Sequence, residues 1–127
     1  MFTETHAFSG FSVDDVATAK KFYGDVLGLR VSEANGMLSL HLAGGGEVLV
    51  YPKDDHTPAS FTILNFPVED IDAAVDHLVG QGVEMIRYEG FHQDAKGIAR
   101  GSGQGSGPDI AWFTDPSGNV LSVLHGK

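Results

Sequence analysis

Along Ala7–Val13, "AFSGFSV", Phe11 and Val13 alternate with Gly10 and Ser12, a period of two that predicts a strand. The spacing then turns helical: Val16, Ala19, Tyr23, Val26 and Leu27 share one side of "DDVATAKKFYGDVLG", with Asp14 or Asp15 placed to cap the helix and Gly28 to end it. Short apolar runs at Leu29–Glu33, Met37–Ala43 and Glu47–Tyr51, separated by glycine-containing turns, predict three more strands. The order then recurs. Ser60–Val68 reads as a strand, "EDIDAAVDHLVGQG" as a helix burying Ile71, Ala74, Val75 and Leu78, and Val83–Glu89, Asp109–Thr114 and Asn119–His125 as three strands.

Offsets measure the repeat. Val13-Asp14-Asp15 corresponds to Val68-Glu69-Asp70 at 55 residues, Gly28 to Gly82 at 54, and "GEVL" (46–49) to "GNVL" (118–121) at 72. The second half therefore carries about eighteen extra residues, the loop "GFHQDAKGIARGSGQGSGP" at 90–108. The expected fold is α+β: one domain over residues 1–127, made of two tandem βαβββ units at about 7–52 and 60–125. Neither unit can cover both faces of so small a sheet, so the two are expected to join into a curved eight-stranded sheet, a cup with the helices outside.

The stretches "VDDVATAKKFYGDVLGLRV" (13–31), "FPVEDIDAAVDHLVGQGV" (66–83) and "DPSGNVLSVL" (115–124) resemble the vicinal oxygen chelate superfamily, which includes glyoxalase I, extradiol dioxygenases, fosfomycin-resistance enzymes and bleomycin-resistance proteins. In its metal-dependent members the resemblance implies ligands on the concave side, seven residues before each capping Asp and on the last strand of each half. Here those positions hold Phe8, Ile63, Val50 and Ser122, none of which replaces an ion's hydration shell, so no metal and no other cofactor is expected. Alternation from these positions turns Gly10, Ser12, Val48, Asn65, Val120 and Leu124 inward and sets Phe11, Val13, Leu49, Leu64, Phe66, Leu121 and Val123 under the helices. His41 faces the cup or solvent according to the phase of its strand. The expected ligand-binding set is Phe8, Ser12, His41, Val50, Ile63, Asn65, Phe91 and Ser122.

Charge narrows the partners. Seventeen acids against eight bases give a net charge of -9, with no basic run to hold nucleic acid or an anionic membrane surface. No cysteine is present, which removes disulfides and thiolate chemistry. No apolar run approaches the roughly 20 residues of a membrane span, and "MFTETHAFSG" lacks the pattern of a secretory signal, so a cytoplasmic location is expected. An apolar pocket with few polar handles suits a small organic molecule. The leading expectation is a metal-free binding protein, homodimeric as the resemblance implies. The alternative is a glyoxalase-like lyase or isomerase drawing on His41, His6 or Glu47, and a third reading is an interaction module with a filled cup. The loop at 90–108 is expected to act as a lid or partner contact, with Phe91 and Ile98 packing over a guest.

Overall fold

The computed structural model describes residues 1–101 and 107–126 and divides the chain into two compact units, Met1–Thr57 and Pro58–Lys127. In the first, β1 (Ser9–Val13), α1 (Val16–Lys21), β2 (Arg30–Ala34), β3 (Met37–His41) and β4 (Glu47–Pro52) follow a short turn at Phe2–Glu4. Its sheet runs β1-β4-β3-β2, with β1 parallel to β4 and the other pairs antiparallel. Asp15 caps α1, its carboxylate accepting from the Thr18 N–H at 3.1 Å and satisfying one of the donors that a helix start leaves unpaired. The helix then widens over Phe22–Val26, where the Leu27 N–H reaches back to the Phe22 carbonyl at 3.0 Å. One extra residue in that turn shifts the helical phase. Phe22 and Tyr23, three and four residues after Ala19, share its buried side, whereas Val26 and Leu27, at the far end of the widened turn, are only half-buried. The Tyr23 ring lies 5.7 Å from Phe11 and 5.1 Å from Phe22, edge-on to the latter. Phe11, Val13, Leu38, Leu40, Val48 and Val50 complete this core, each contributing on the order of 1.5–3 kcal/mol by leaving water.

The second unit holds β5 (Thr62–Pro67), α2 (Ile71–Gly80), β6 (Met85–Ile86), β7 (Ala99–Arg100), β8 (Asp109–Thr114) and β9 (Val120–His125). The sheet order is β5-β9-β8-β6, with β7 also on β8 and β5 parallel to β9. Asp70 repeats the cap of Asp15, accepting from the Ala73 N–H at 3.0 Å, and buries Ile71, Val75 and Leu78 on one side of α2. The α+β class and the tandem βαβββ order thus hold, with two corrections. The strand expected over Val83–Glu89 contracts to Met85–Ile86, and β7 adds a strand inside the expected loop.

The turns before β4 and β9 reset the alignment of the halves. Leu42 N–H bonds the Gly46 carbonyl and Gly45 N–H the Leu42 carbonyl, while Asp115 N–H bonds that of Asn119 and Gly118 N–H that of Asp115. Gly45 and Gly118, with φ of 94° and 86°, take the same left-handed place, which other residues enter only with strain. The structural offset is therefore 73, not the 72 obtained by matching Gly46 to Gly118. In the second turn Asp115, only 4% exposed, also accepts from Ser117 N–H, Asn119 N–H and the Asn119 amide at 2.9–3.0 Å.

Candidate functional site

Each sheet has a helix-covered face and an open one, and strand pairing decides which residues reach the open face. In the first unit Phe8, Gly10 and Ser12 point away from the α1 side; β1 sets Gly10 opposite Leu49, and β3 sets Ser39 opposite Leu49. Leu49 is therefore on the open face. Val50, opposite Phe11 and Leu38 and fully buried, belongs to the core beneath α1, and Val48 goes with it. This overturns the inward placement of Val50 and Val48, and follows from the one-residue change of offset, since a shift by one turns every side chain over. The same register puts His41 on the open face, opposite Glu47.

Phe8 is 68% exposed and lines a pocket of about 550 Å³ with His6, Ser39, Glu47, Leu49 and the glycine turn at 44–46. Ser12 Oγ lies 2.6 Å from His56 Nδ1, which brings that histidine out of its connector to the same face. His41 is hydrogen-bonded through Nε2, 2.8 Å from Ser32 Oγ, and its Nδ1 faces Glu47 Oε1 at 3.6 Å.

In the second unit the open face carries Asn65, Ser122 and Trp112. Ser122 has no exposed surface, and its hydroxyl donates to Asn65 Oδ1 at 2.6 Å. Trp112 stands opposite Ser122 across β8–β9 and opposite Ile86 across β6–β8. Its ring centre is 5.2 Å from Tyr88 and 5.3 Å from Phe91, and those two are 6.1 Å apart. Phe91 remains 57% exposed, so the cluster presents an aromatic surface outward. Trp112 and Tyr88 were absent from the sequence-derived set; alternation along "DIAWFT", paired back from Ser122, is the signal that finds Trp112. Ile63 lies where the β5–β9 register steps from Thr62–Val120 to Leu64–Leu121, so simple alternation does not fix its direction.

The first part of the long loop is packed rather than free. Gln93 threads it, accepting from Tyr88 N–H at 2.8 Å and donating to the carbonyls of Ile86 and Gly97 at 2.9 and 2.7 Å. Asp94 accepts from Lys96 N–H, Ile98 N–H and Arg100 Nε at 2.9–3.0 Å. Arg100 also reaches Asp72 on α2 at 2.8 Å and Asp109 at 3.8 Å, while Lys96 contacts Asp76 and Asp72 at 3.1 and 3.4 Å. The Arg100 hydrogen bond holds the Asp72 carboxyl below the ordinary range. For Asp94, partial burial pulls upward and is outweighed by the Ile98, Arg100 and Lys96 donors, so its carboxyl also sits low. Ile98 is fully buried in the core of this unit, which overturns its expected place over a guest. Asp72 and Arg100 are the centre of this network. Residues 102–106 of the loop expected to be a lid or partner contact lie outside the described residues.

With the offset of 73, the four positions implied for a metal are Phe8, Leu49, Ile63 and Ser122. A benzyl ring, two branched alkyl chains and a hydroxyl already bonded to Asn65 do not fit a hard divalent ion, which takes carboxylate, imidazole or carbonyl donors. Among the described residues no group of three or more His, Asp or Glu is arranged to hold one.

The tandem repeat and its open faces find their counterpart in known proteins. The pattern of the Glyoxalase/Bleomycin resistance protein/Dioxygenase superfamily matches residues 6–123, and the chain belongs to that superfamily. Among solved structures it is similar to a putative glyoxalase family protein from Bacillus anthracis, at 19% identity and TM-score 0.68 with all of both chains covered. It is likewise similar to the glyoxalase family protein from Enterococcus faecalis, at 24% identity and TM-score 0.68, covering 97% of this chain and 98% of that one. The fosfomycin resistance protein FosX from Listeria monocytogenes follows at 12% identity and TM-score 0.71, covering 98% and 94%. At these identities the likeness speaks for the fold. No curated protein matches. Among the described residues no helix is long and apolar enough to cross a membrane.

Proposed function

We propose that the chain binds a small, planar organic molecule without a metal, and that it does so as a homodimer. The observation that carries this reading is the Tyr88–Phe91–Trp112 cluster on the same sheet face as the Asn65–Ser122 pair. An exposed aromatic surface provides dispersion and stacking, on the order of 0.5–1.5 kcal/mol per ring contact, and the Asn65 amide orients a guest through its donors and acceptor. The net charge of -9 draws cations at long range, so a cationic aromatic guest is favoured. Phe8, Ser12 and His41 offer a second apolar and polar set on the open face of the first unit. Ile63 adds a further contact, while Val50 lies in the core beneath α1. The superfamily's name includes bleomycin resistance proteins and FosX is a fosfomycin resistance protein, both consistent with a protein that meets small organic compounds.

Trp112 is the single tryptophan of the chain, so its fluorescence reports on this surface directly. A screen of planar cationic and neutral aromatics should find a guest that quenches Trp112 and raises the melting temperature, unaltered by chelator. Phe91→Ala should weaken that guest about tenfold, as expected for one lost ring contact. A stoichiometric metal in untagged protein, or quenching indifferent to Phe91→Ala and Asn65→Ala, refutes the reading.

A further inference from the structure

The open face of the first unit carries chemistry that ligand binding does not require. Ser32, His41 and Glu47 lie on the three adjacent strands β2, β3 and β4: Ser32 is opposite Ser39 and diagonal to His41, and His41 is opposite Glu47. Ser32 Oγ is 2.8 Å from His41 Nε2, and Glu47 Oε1 is 3.6 Å from Nδ1. The carboxylate on one side favours the tautomer with its proton on Nδ1, which leaves the Nε2 lone pair facing the serine hydroxyl. A hydroxyl is a weak nucleophile until a base stands within hydrogen-bond reach and a third group orients that base, and this row supplies both. We infer that Ser32, His41 and Glu47 give the protein acyl-transfer activity towards small activated esters.

Access and space are in place. Ser32 is exposed, and Glu47 and Ser39, the cross-strand partners of His41 and Ser32, line the pocket of about 550 Å³ whose apolar walls are Phe8 and Leu49. Arg30, opposite His41 across β2–β3, adds a cation to the same row. Ser32 Oγ attacks the carbonyl carbon as its proton passes to His41 Nε2. The tetrahedral adduct then breaks its bond to the leaving alkoxide, which takes that proton. Water, giving a proton to Nε2, attacks the acyl-serine, and release of the carboxylic acid returns the proton to Ser32. Because the row is open to solvent, only esters with good leaving groups are expected to turn over. This activity does not depend on the guest proposed for the other unit.

The test uses the full chain with an aryl fluorophosphonate and with p-nitrophenyl acetate. One adduct mapping to Ser32 is expected, formed much faster than any at the exposed reference Ser60, together with ester turnover. His41→Ala should slow both reactions about 100-fold, the lower end of what a positioned base supplies. Glu47→Gln should slow them about twofold to fivefold, in keeping with an exposed contact. Ser32→Ala should remove the adduct and leave the melting temperature unchanged; if that variant fails to fold, the His41 and Glu47 variants still decide. Labelling of Ser32 no faster than of Ser60, or rates indifferent to His41→Ala, overturns the inference and reduces the row to a solvated hydrogen bond.

Discussion

Leu49 and Val50 are neighbours with opposite surroundings, and substitution by glutamate tells them apart. Leu49 shares the open face with Ser39 and the pocket, so Leu49→Glu should cost roughly 1 kcal/mol or less by urea unfolding. Val50 is fully buried against Phe11 and Leu38, and Val50→Glu should cost upwards of about 4 kcal/mol or prevent folding, because the carboxylate would have no partner there. Equal costs would show that the face assignment of β4 is wrong. The phase of this strand escaped the sequence because "AGGGE" offers three glycines to match against Gly118, and only the hydrogen bond from Gly45 N–H to the Leu42 carbonyl, the counterpart of that from Gly118 to Asp115, selects among them. Asp15, Asp70, Gly28 and Gly82 were legible for the opposite reason. Their roles are settled within one helical turn, where residue type and position carry the whole signal.

At the scale of elements, the segment from Arg87 to Arg100 is fastened to α2 by charges that a loop-like composition conceals. Arg87 donates to the carbonyls of Asp94 and Ala95 at 2.6 and 2.9 Å, and Arg100 joins Asp94 to Asp72. Periodicity could not foresee this, since Asp72 and Arg100 are 28 residues apart. Nor could it foresee Ile98 as core, because one apolar residue among polar ones reads as loop. The Asp72 and Asp94 carboxyls titrate lower in the folded chain than in the unfolded one. Their contribution is therefore complete above the ordinary carboxylate pKa of about 3.9 and fades as pH falls through the lower folded values. Hydrogen exchange at the Ile98 amide, normalised for the intrinsic rate, should show protection that is level near neutrality and declines below about pH 4. Asp94→Asn should lower that protection by about 1 kcal/mol at neutral pH and flatten its acid decline. A decline of equal depth in the variant would mean that the fastening depends on other groups.

For the whole molecule, the tandem repeat and the α+β class were written in the order of capped helices and alternating strands, which needs no knowledge of distant contacts. The ligand surface was less legible, since Trp112 acquires its place only by pairing with Ser122 and Ile86. Phe2, Phe8, Phe61 and Phe91 remain 57–82% exposed in the single chain, more aromatic surface than an isolated domain usually leaves in water. A second copy covering part of it should give a light-scattering mass near twice the 13.5 kDa of the chain at micromolar concentration. A mass of one chain at every concentration would reject the homodimer. The Asp115 turn, finally, bears on the order of events in folding. It joins β8 to β9 through a connection of five residues held by its own hydrogen bonds, whereas 52 residues, 68–119, lie between β5 and β9. Closing the short loop loses less chain entropy, so the hairpin should be structured in the transition state before the parallel pairing is complete. In stopped-flow measurements Asp115→Ala should then act mainly on the folding limb, with a φ-value above about 0.5, whereas Asn65→Ala should mainly speed unfolding.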